Sequence, residues 1–121
     1  MNKLLVKMGM AAALLATAAV ALPGTASGAA LYWSSTAVNT NSVRTCFSFA
    51  GDAMRNLHFQ NIRRSPSEVA GSAPGVYAAI TCIGTAPRVT AVVMATGDNG
   101  GAVAQTRDAL RNKIAGIVNF D

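Results

Sequence analysis

The sequence is poor in the side chains that catalyse reactions at neutral pH. Its 121 residues include five carboxylates and one histidine, His58. The carboxylates are spread singly along the chain, so no pair of them is spaced for general acid–base catalysis. His58 has no acid or cysteine in the adjoining sequence, and we expect it to be structural or exposed to solvent. The composition therefore predicts a protein that is not an enzyme and that holds no cofactor.

No apolar run is long enough to cross a membrane as a helix. The longest, residues 8–22, has fifteen residues, whereas a spanning helix needs about twenty. It follows a basic start with Lys3 and Lys7 and precedes small residues, an arrangement typical of a secretory signal peptide. We predict cleavage after Gly28, or up to two residues later, and a single domain over residues 29–121. The alternative is a retained N-terminal anchor. The expected location is the periplasm or the medium, with no membrane insertion after cleavage.

Cysteine is scarce as well, because the chain contains only Cys46 and Cys82. Neither belongs to a CxxC motif or has a histidine nearby in the sequence, so we expect no metal site. In an exported chain two cysteines tend to oxidise and pair, whereas the alternative is a catalytic or metal-binding pair of thiols. We predict a structural disulfide. Closing a loop of 36 residues stabilises a fold by about 3–4 kcal/mol in the loop-entropy model.

Charge is sparse, and most of it is arginine. Residues 29–121 carry eight basic and five acidic residues, a net charge of +3. Seven of the eight are arginines, which bind carboxylates and phosphates with two hydrogen bonds. They are scattered over several predicted elements, and Arg63 and Arg64 point to opposite faces of an extended chain. We therefore expect no nucleic-acid partner, while an anionic polymer of the cell envelope is a candidate ligand.

The alternation of side chains predicts a β-hairpin in the second half of the chain. Residues 76–83 and 89–95 each alternate between two faces, and the turn at residues 84–87 has a suitable length to join them. One face carries small aliphatic side chains, namely Val76, Ala78, Ile80, Cys82, Val89, Ala91, Val93 and Ala95. Strands that are apolar on one side and mixed on the other are typical of a sheet covered by helices on one face.

Two helices are predicted to cover that face. Ser42 can cap the first helix, which runs to about Leu57 and carries Cys46 on its apolar stripe. The second helix runs from about residue 102 to residue 116. Cys46 on the first helix and Cys82 on the covered strand face point toward each other, and this agreement supports the disulfide.

The segment around Pro66 is open to two interpretations. Residues 31–38 predict a first strand and residues 59–65 a second, which Pro66 interrupts and residues 68–72 resume. The alternative is a short helical turn, because residues 65–68 have the form of a capping box with proline at its first position. Turn-forming residues follow in either case.

These elements predict an α+β fold in the order β-α-β-β-β-α. A mainly antiparallel four-stranded sheet is covered on one face by two helices, which makes a two-layer sandwich with one disulfide. The first helix is expected to connect the first two strands as a right-handed crossover.

The uncovered face of this sheet is the first candidate binding surface. Its predicted side chains are Tyr77, Thr81, Ile83, Thr90, Val92, Met94 and Thr96. This set is too apolar for a face that meets only solvent, and an exposed apolar patch often marks an interface. We predict a protein partner, such as an envelope protein that the chain inhibits, or a second copy of the chain. Trp33 is expected to be a core or rim residue, or else an aromatic contact for that partner.

The glycine-rich junction at residues 97–101 is an alternative site. A helix N-terminus offers free N–H groups to an anion, but GDNGG fits neither a P-loop nor GxGxxG, and its acid would repel an anion. A tight turn with Asp98 or Asn99 as the helix cap is the favoured interpretation. The candidate anion site consists of Asn99, Gly100 and Gly101. With His58 the junction would serve a small-ligand or enzymatic domain, and a structural envelope component is a third alternative.

Three short stretches resemble small exported bacterial proteins of unassigned function. They are ITC at residues 80–82, TAVVM at residues 90–94 and TRDALRNKI at residues 106–114. The stretches correspond to a strand, a strand and a helix. The resemblance implies an exported chain with a compact α/β fold, and it implies no activity and no site residues.

Overall fold

The computed structural model describes residues 29–118. The predicted signal peptide, residues 1–28, lies outside the described residues. The elements are β1 (Ala30–Ala37), α1 (Val43–Asn56), β2 (Gln60–Arg64), β3 (Val69–Ala73), β4 (Val76–Ile83), β5 (Thr90–Gly97) and α2 (Gly100–Ala115). The strands build one sheet in the order β1-β5-β4-β3-β2, in which each neighbouring pair is antiparallel.

The sheet has five strands, so the predicted count of four was wrong. The residues before and after Pro66 form two strands, β2 and β3, that pair with each other. Proline has no N–H with which to continue a ladder. The Ser65 hydroxyl accepts hydrogen bonds from the N–H groups of Ser67 and Glu68 at 3.3 and 3.2 Å. The chain therefore turns back here, and the alternative helical turn does not form.

Each helix begins at the type of cap that the sequence indicates. The Ser42 hydroxyl accepts a hydrogen bond from the N–H of Thr45 at 3.1 Å, at the start of α1. The side-chain oxygen of Asn99 accepts one from the N–H of Ala102 at 3.0 Å, at the start of α2. Both bonds satisfy N–H groups that have no partner within the helix. Helix α1 ends at Asn56 and α2 at Ala115.

Both helices lie on the same face of the sheet and enclose the core. Helix α1 packs on β4, β3 and β2, and α2 packs on β1 and β5. All eight small aliphatic residues of the predicted hairpin face are buried beneath them. A disulfide joins Cys46 of α1 to Cys82 of β4, with 6.2 Å between their Cα atoms. The two-layer α+β sandwich and its disulfide are thus confirmed.

The connection through α1 passes over the whole sheet, because β1 and β2 are its two edges. Asn39, just after β1, ties this connection to the end of α2. Its side-chain amide donates to the carbonyl oxygens of Ala115 and Ile117, each at 3.1 Å. Its side-chain oxygen accepts a hydrogen bond from Arg88 at 2.7 Å. One polar side chain therefore joins three segments that are distant in sequence.

Candidate functional site

The face of the sheet opposite the helices is not covered by any element among residues 29–118. We call it the open face. Residues that pair across antiparallel strands lie on the same face, so the strand registers assign its members directly. On β1, β4 and β5 they are Leu31, Trp33, Ser35, Ala37, Tyr77, Ala79, Thr81, Ile83, Thr90, Val92, Met94 and Thr96. The seven side chains predicted for this face are all brought together here, namely Tyr77, Thr81, Ile83, Thr90, Val92, Met94 and Thr96.

The largest apolar side chains of the open face are exposed. Leu31 and Trp33 are each 65% exposed, Ile83 is 48% exposed and Tyr77 is 42% exposed. Leu31 and Trp33 lie two residues apart on the edge strand β1. Sequence reasoning left the position of Trp33 open and did not name Leu31, because their face depends on the pairing of β1 with β5. Apolar alternation within residues 31–38 was the only signal for them.

One row of side chains crosses the open face from edge to edge. The registers align Trp33 of β1 with Met94 of β5, then with Ala79 of β4, Ala70 of β3 and Arg63 of β2. We call these five residues the central row. Its side chains are large on the β1 side, small in the middle and basic at the β2 edge. Its two alanines are buried although they lie outside the core beneath the helices, so larger neighbours on the open face shield them.

A shallow apolar depression lies beside the central row. Its cavity volume is about 150 Å³, and Leu31, Tyr77, Ala79 and Met94 contribute to its lining. The depression exists because the small side chain of Ala79 is flanked by larger ones. Its lining is almost wholly apolar, so it suits a hydrophobic side chain better than a polar ligand.

Arg63 is the basic group of the open face. Its guanidinium donates a hydrogen bond to the hydroxyl oxygen of Tyr77 at 3.3 Å. The adjacent Arg64 lies on the other face of the sheet, over the ring of Phe47 at 5.4 Å, as the alternation of side chains predicted. The five strands contain no acidic residue. The open face therefore carries apolar and hydroxyl side chains, with Arg63 at one edge and Glu68, just before β3, lining the same depression as Arg63.

Several arginine side chains elsewhere contact other groups of the chain. Arg55 pairs with Asp52 on α1, and Arg107 pairs with Asp108 at 2.8 Å. Arg107 also lies over the ring of Tyr32, at 5.7 Å. These groups belong to different faces and helices, so the positive charge of the chain does not form a single patch.

The glycine-rich junction is a tight strand-to-helix turn. A Cβ on Gly97 would lie 2.2 Å from the carbonyl oxygen of Gly75, and a Cβ on Gly100 would lie 3.3 Å from the hydroxyl of Tyr32. Two of the glycines are thus explained by close approach of the chain to itself. The Asn99 side chain fills part of the helix N-terminus as a cap. The anion site at Asn99, Gly100 and Gly101 stays a prediction.

His58 lies in the turn that follows α1, and its side chain is exposed. Its φ angle is 63°, in the left-handed region, and its N–H donates to the carbonyl oxygen of Arg55 at 3.0 Å. The depressions at the helix ends, beside α1 and on the open face are lined by neither His58 nor residues 97–101. The structure therefore does not join the histidine to the junction.

Within residues 29–118, no group of three or more His, Cys, Asp or Glu side chains could hold a metal ion. No helix in that same range is long and apolar enough to span a membrane. The open face is the candidate site that combines exposed apolar area, a depression and a charged edge. A scan against protein-family models and searches of curated proteins and of solved structures find no match to the chain.

Proposed function

We propose that the chain is an exported interaction module whose open face is buried against another polypeptide. The observation that carries the proposal is the exposure of Trp33 and Leu31, each 65%, beside Tyr77 and Met94 on a sheet face that no described element covers. Exposed apolar area is lost from water when a partner covers it, and each Å² contributes about 25 cal/mol. Large aromatic side chains at the centre of a contact also contribute most of its binding energy.

Two features support the exported location. The disulfide between Cys46 and Cys82 belongs to oxidising compartments. The basic and apolar N-terminal sequence has the features of a secretory signal. An interaction module also needs no catalytic groups, which agrees with a sequence that has one histidine and widely separated carboxylates.

Site-specific photo-crosslinking in the producing cell tests the proposal. A photoreactive amino acid replaces Val92 on the open face in one chain and Gln105, an exposed residue of α2, in a control chain. After irradiation we expect the substituted Val92 to give a discrete adduct of defined mass with a polypeptide, and the substituted Gln105 to give none. The Val92 position leaves Trp33, Leu31 and Met94 intact, so the probe does not remove the contacts it reports.

The control position decides how an adduct is interpreted. Equal labelling at both positions, or no adduct at Val92 while the protein remains folded and oxidised, would contradict the proposal. Oxidation is checked by the absence of free thiols, because both cysteines belong to the disulfide, and the folded state is checked by circular dichroism.

A further inference from the structure

We infer that the polypeptide covering the open face is a second copy of the chain, packed sheet on sheet about a two-fold axis that runs along β4. This inference rests on the proposed function, since it needs the open face to be a binding surface. Face-to-face sheets pack about 10 Å apart with their strands within about 30° of each other. A two-fold axis makes such a contact isologous, which means that both copies use the same surface. Each feature of the face must therefore meet a complementary feature of that same face on the other copy.

The axis along β4 relates the two halves of the sheet, because β4 is its central strand. It is the third of five strands in the sheet. A rotation about an axis along β4 therefore lays β1 of one copy over β2 of the other, and β5 over β3. The central row runs straight across these strands, so Trp33 of one copy meets Arg63 of the other, and Met94 meets Ala70. Ala79, in the middle of the row, meets Ala79.

Side-chain size favours this axis over the alternative two-fold axis, which runs across the strands. The alternative lays Trp33 over Trp33 and Met94 over Met94, and it leaves the small Ala70 facing Ala70. Large groups would then hold the two sheets apart while gaps open over the alanines. Close-packed interfaces need large groups opposite small ones. The axis along β4 meets this requirement for Met94, which faces Ala70, and it sets Trp33 against the long side chain of Arg63 and not against a second Trp33.

The pairing of Trp33 with Arg63 supplies a specific contact at each edge. A guanidinium over the face of a tryptophan ring is a favourable cation–π contact, stronger when water is excluded. The Arg63 side chain reaches from β2 toward β4, where its guanidinium donates to the Tyr77 hydroxyl at 3.3 Å, so the Trp33 ring of the other copy extends inward from the edge to lie over it. The two-fold axis repeats the contact, so it occurs twice in the dimer. In each copy Trp33 and Arg63 are the two ends of the central row.

Electrostatic repulsion between two copies is weak. The strands contain no acidic residue, but Glu68, just before β3, lines the same depression as Arg63, Ala70 and Tyr77, so a carboxylate offsets the charge of Arg63. The axis along β4 places the backbones of the two Arg63 residues at opposite edges of the interface. Four strand spacings separate the two Arg63 backbones by about 19 Å, and each guanidinium extends from there to the Tyr77 hydroxyl.

The available area suits a reversible dimer. Five strands spaced by ~4.8 Å, with five to eight residues of ~3.3 Å each, give about 500 Å² of flat area per copy. The pair then covers roughly 1,000 Å², which is near the lower limit for specific interfaces. We therefore expect a dimer that dissociates on dilution through about the micromolar range.

Pairing of β1 edges is the competing way to join two copies, and Arg111 opposes it. Its Nε donates to the carbonyl oxygen of Ser35 at 3.0 Å. The N–H of Val38 donates to the carbonyl oxygen of Val89, on the β5 side of β1. The backbone groups of successive residues in a strand point alternately to its two sides. The Ser35 carbonyl therefore lies on the free edge of β1, where Arg111 occupies it. The other edge, β2, is short, carries a bulge and has two arginines, features that prevent edge pairing.

Sedimentation equilibrium of the exported, disulfide-bonded protein is the first test. We expect a monomer–dimer equilibrium that Met94→Lys weakens at least 100-fold and Arg63→Gln weakens about tenfold. Gln105→Lys on the exposed side of α2 is the matched control and leaves the dissociation constant unchanged. A protein that stays monomeric at concentrations of about 1 mM would overturn the inference, as would a dimer that tolerates Met94→Lys.

Cross-linking with a short thiol reagent tests the geometry. The native cysteines are both oxidised, so a single introduced cysteine reports one position. On the axis along β4, Thr81 meets Thr81 of the other copy, and we expect Thr81→Cys to cross-link and Ser35→Cys not to. Edge pairing of β1 predicts the reverse, because it separates the two Thr81 residues by five strand spacings, about 24 Å. Efficient Ser35→Cys cross-linking without Thr81→Cys cross-linking overturns the inference.

The two proposals fail in different ways. If the substituted Val92 gives an adduct in cells whose mass does not fit a second copy of the chain, and the purified protein is monomeric, the inferred dimer is wrong and the proposed interaction module stands. If Val92 gives no adduct and the purified protein is monomeric, both proposals are wrong. A purified dimer dissociated by Met94→Lys, with the Thr81→Cys cross-link, supports both.

Discussion

Removing the disulfide should cost a large part of the stability of this protein. The change is the double substitution Cys46→Ala and Cys82→Ala, compared with the wild-type protein after reduction by a thiol reagent. The bond links α1 to β4, and its sulfurs lie in the core, where Cys46 is fully buried and Cys82 is 9% exposed. Reduction removes the cross-link and keeps the sulfurs, whereas the double substitution removes both.

The magnitude follows from the length of the loop. The cysteines are 36 residues apart, and the loop-entropy relation gives about 4 kcal/mol at 25 °C for a loop of that size. Loss of two buried sulfur atoms should add about 1 kcal/mol for the double alanine variant. Small domains are stable by only 5–15 kcal/mol, so we expect both forms to unfold at much lower urea concentrations.

Urea unfolding followed by circular dichroism measures this effect. The oxidised, reduced and double alanine forms are compared at one protein concentration, because association would add to the apparent stability. We expect losses of about 4 kcal/mol on reduction and about 5 kcal/mol in the double variant, from free energies extrapolated to water. A loss below about 1 kcal/mol on reduction would refute the claim that the cross-link stabilises the sandwich chiefly by restricting the unfolded chain.

Two further substitutions test how the helices and turns are held. Asn39→Ala removes the amide that binds the carbonyls of Ala115 and Ile117 and the acceptor of Arg88. We expect the free energy of unfolding to fall by about 2 kcal/mol and hydrogen exchange at the end of α2 to become faster. Unchanged exchange there would contradict the claim that Asn39 holds the end of this helix. Gly97→Ala should destabilise by roughly 1–3 kcal/mol, because its Cβ would lie 2.2 Å from a backbone oxygen. Gly101→Ala is the control, since its Cβ meets only the Asn99 side chain at 3.4 Å, and equal midpoints of thermal unfolding for the two variants would refute the close approach.

The helix-covered side of the fold could be predicted from the sequence because its signals are local. Alternation in residues 76–83 and 89–95 assigned the buried face, and the stripe on α1 placed Cys46 against it. Ser42 followed by an apolar period of about 3.6 residues indicated where α1 begins. Each of these signals depends on neighbours within about ten residues, and none requires knowledge of the strand order.

The strand count and the full extent of the open face could not be predicted in the same way. The turn at Pro66 is ambiguous in sequence, because proline is compatible with a bulge, a helix start and a reversal of the chain. Only the pairing of β2 with β3 decides among them. The central row likewise depends on four registers, which join residues up to 61 positions apart, such as Trp33 and Met94. Sequence alternation placed the side chain of Trp33 on one face of its strand but did not show which residues lie beside it.

Fluorescence of Trp33 is the most direct measurement of the central claim, that the open face is a binding surface covered by polypeptide. Trp33 is the only tryptophan of the chain and is 65% exposed on the open face, so its emission reports that face alone. We expect its quenching by acrylamide to fall and its emission to shift to shorter wavelength as the purified protein is concentrated, and Met94→Lys to abolish both changes. Quenching that stays high at every concentration, and on addition of the polypeptide identified by the Val92 adduct, would contradict the account.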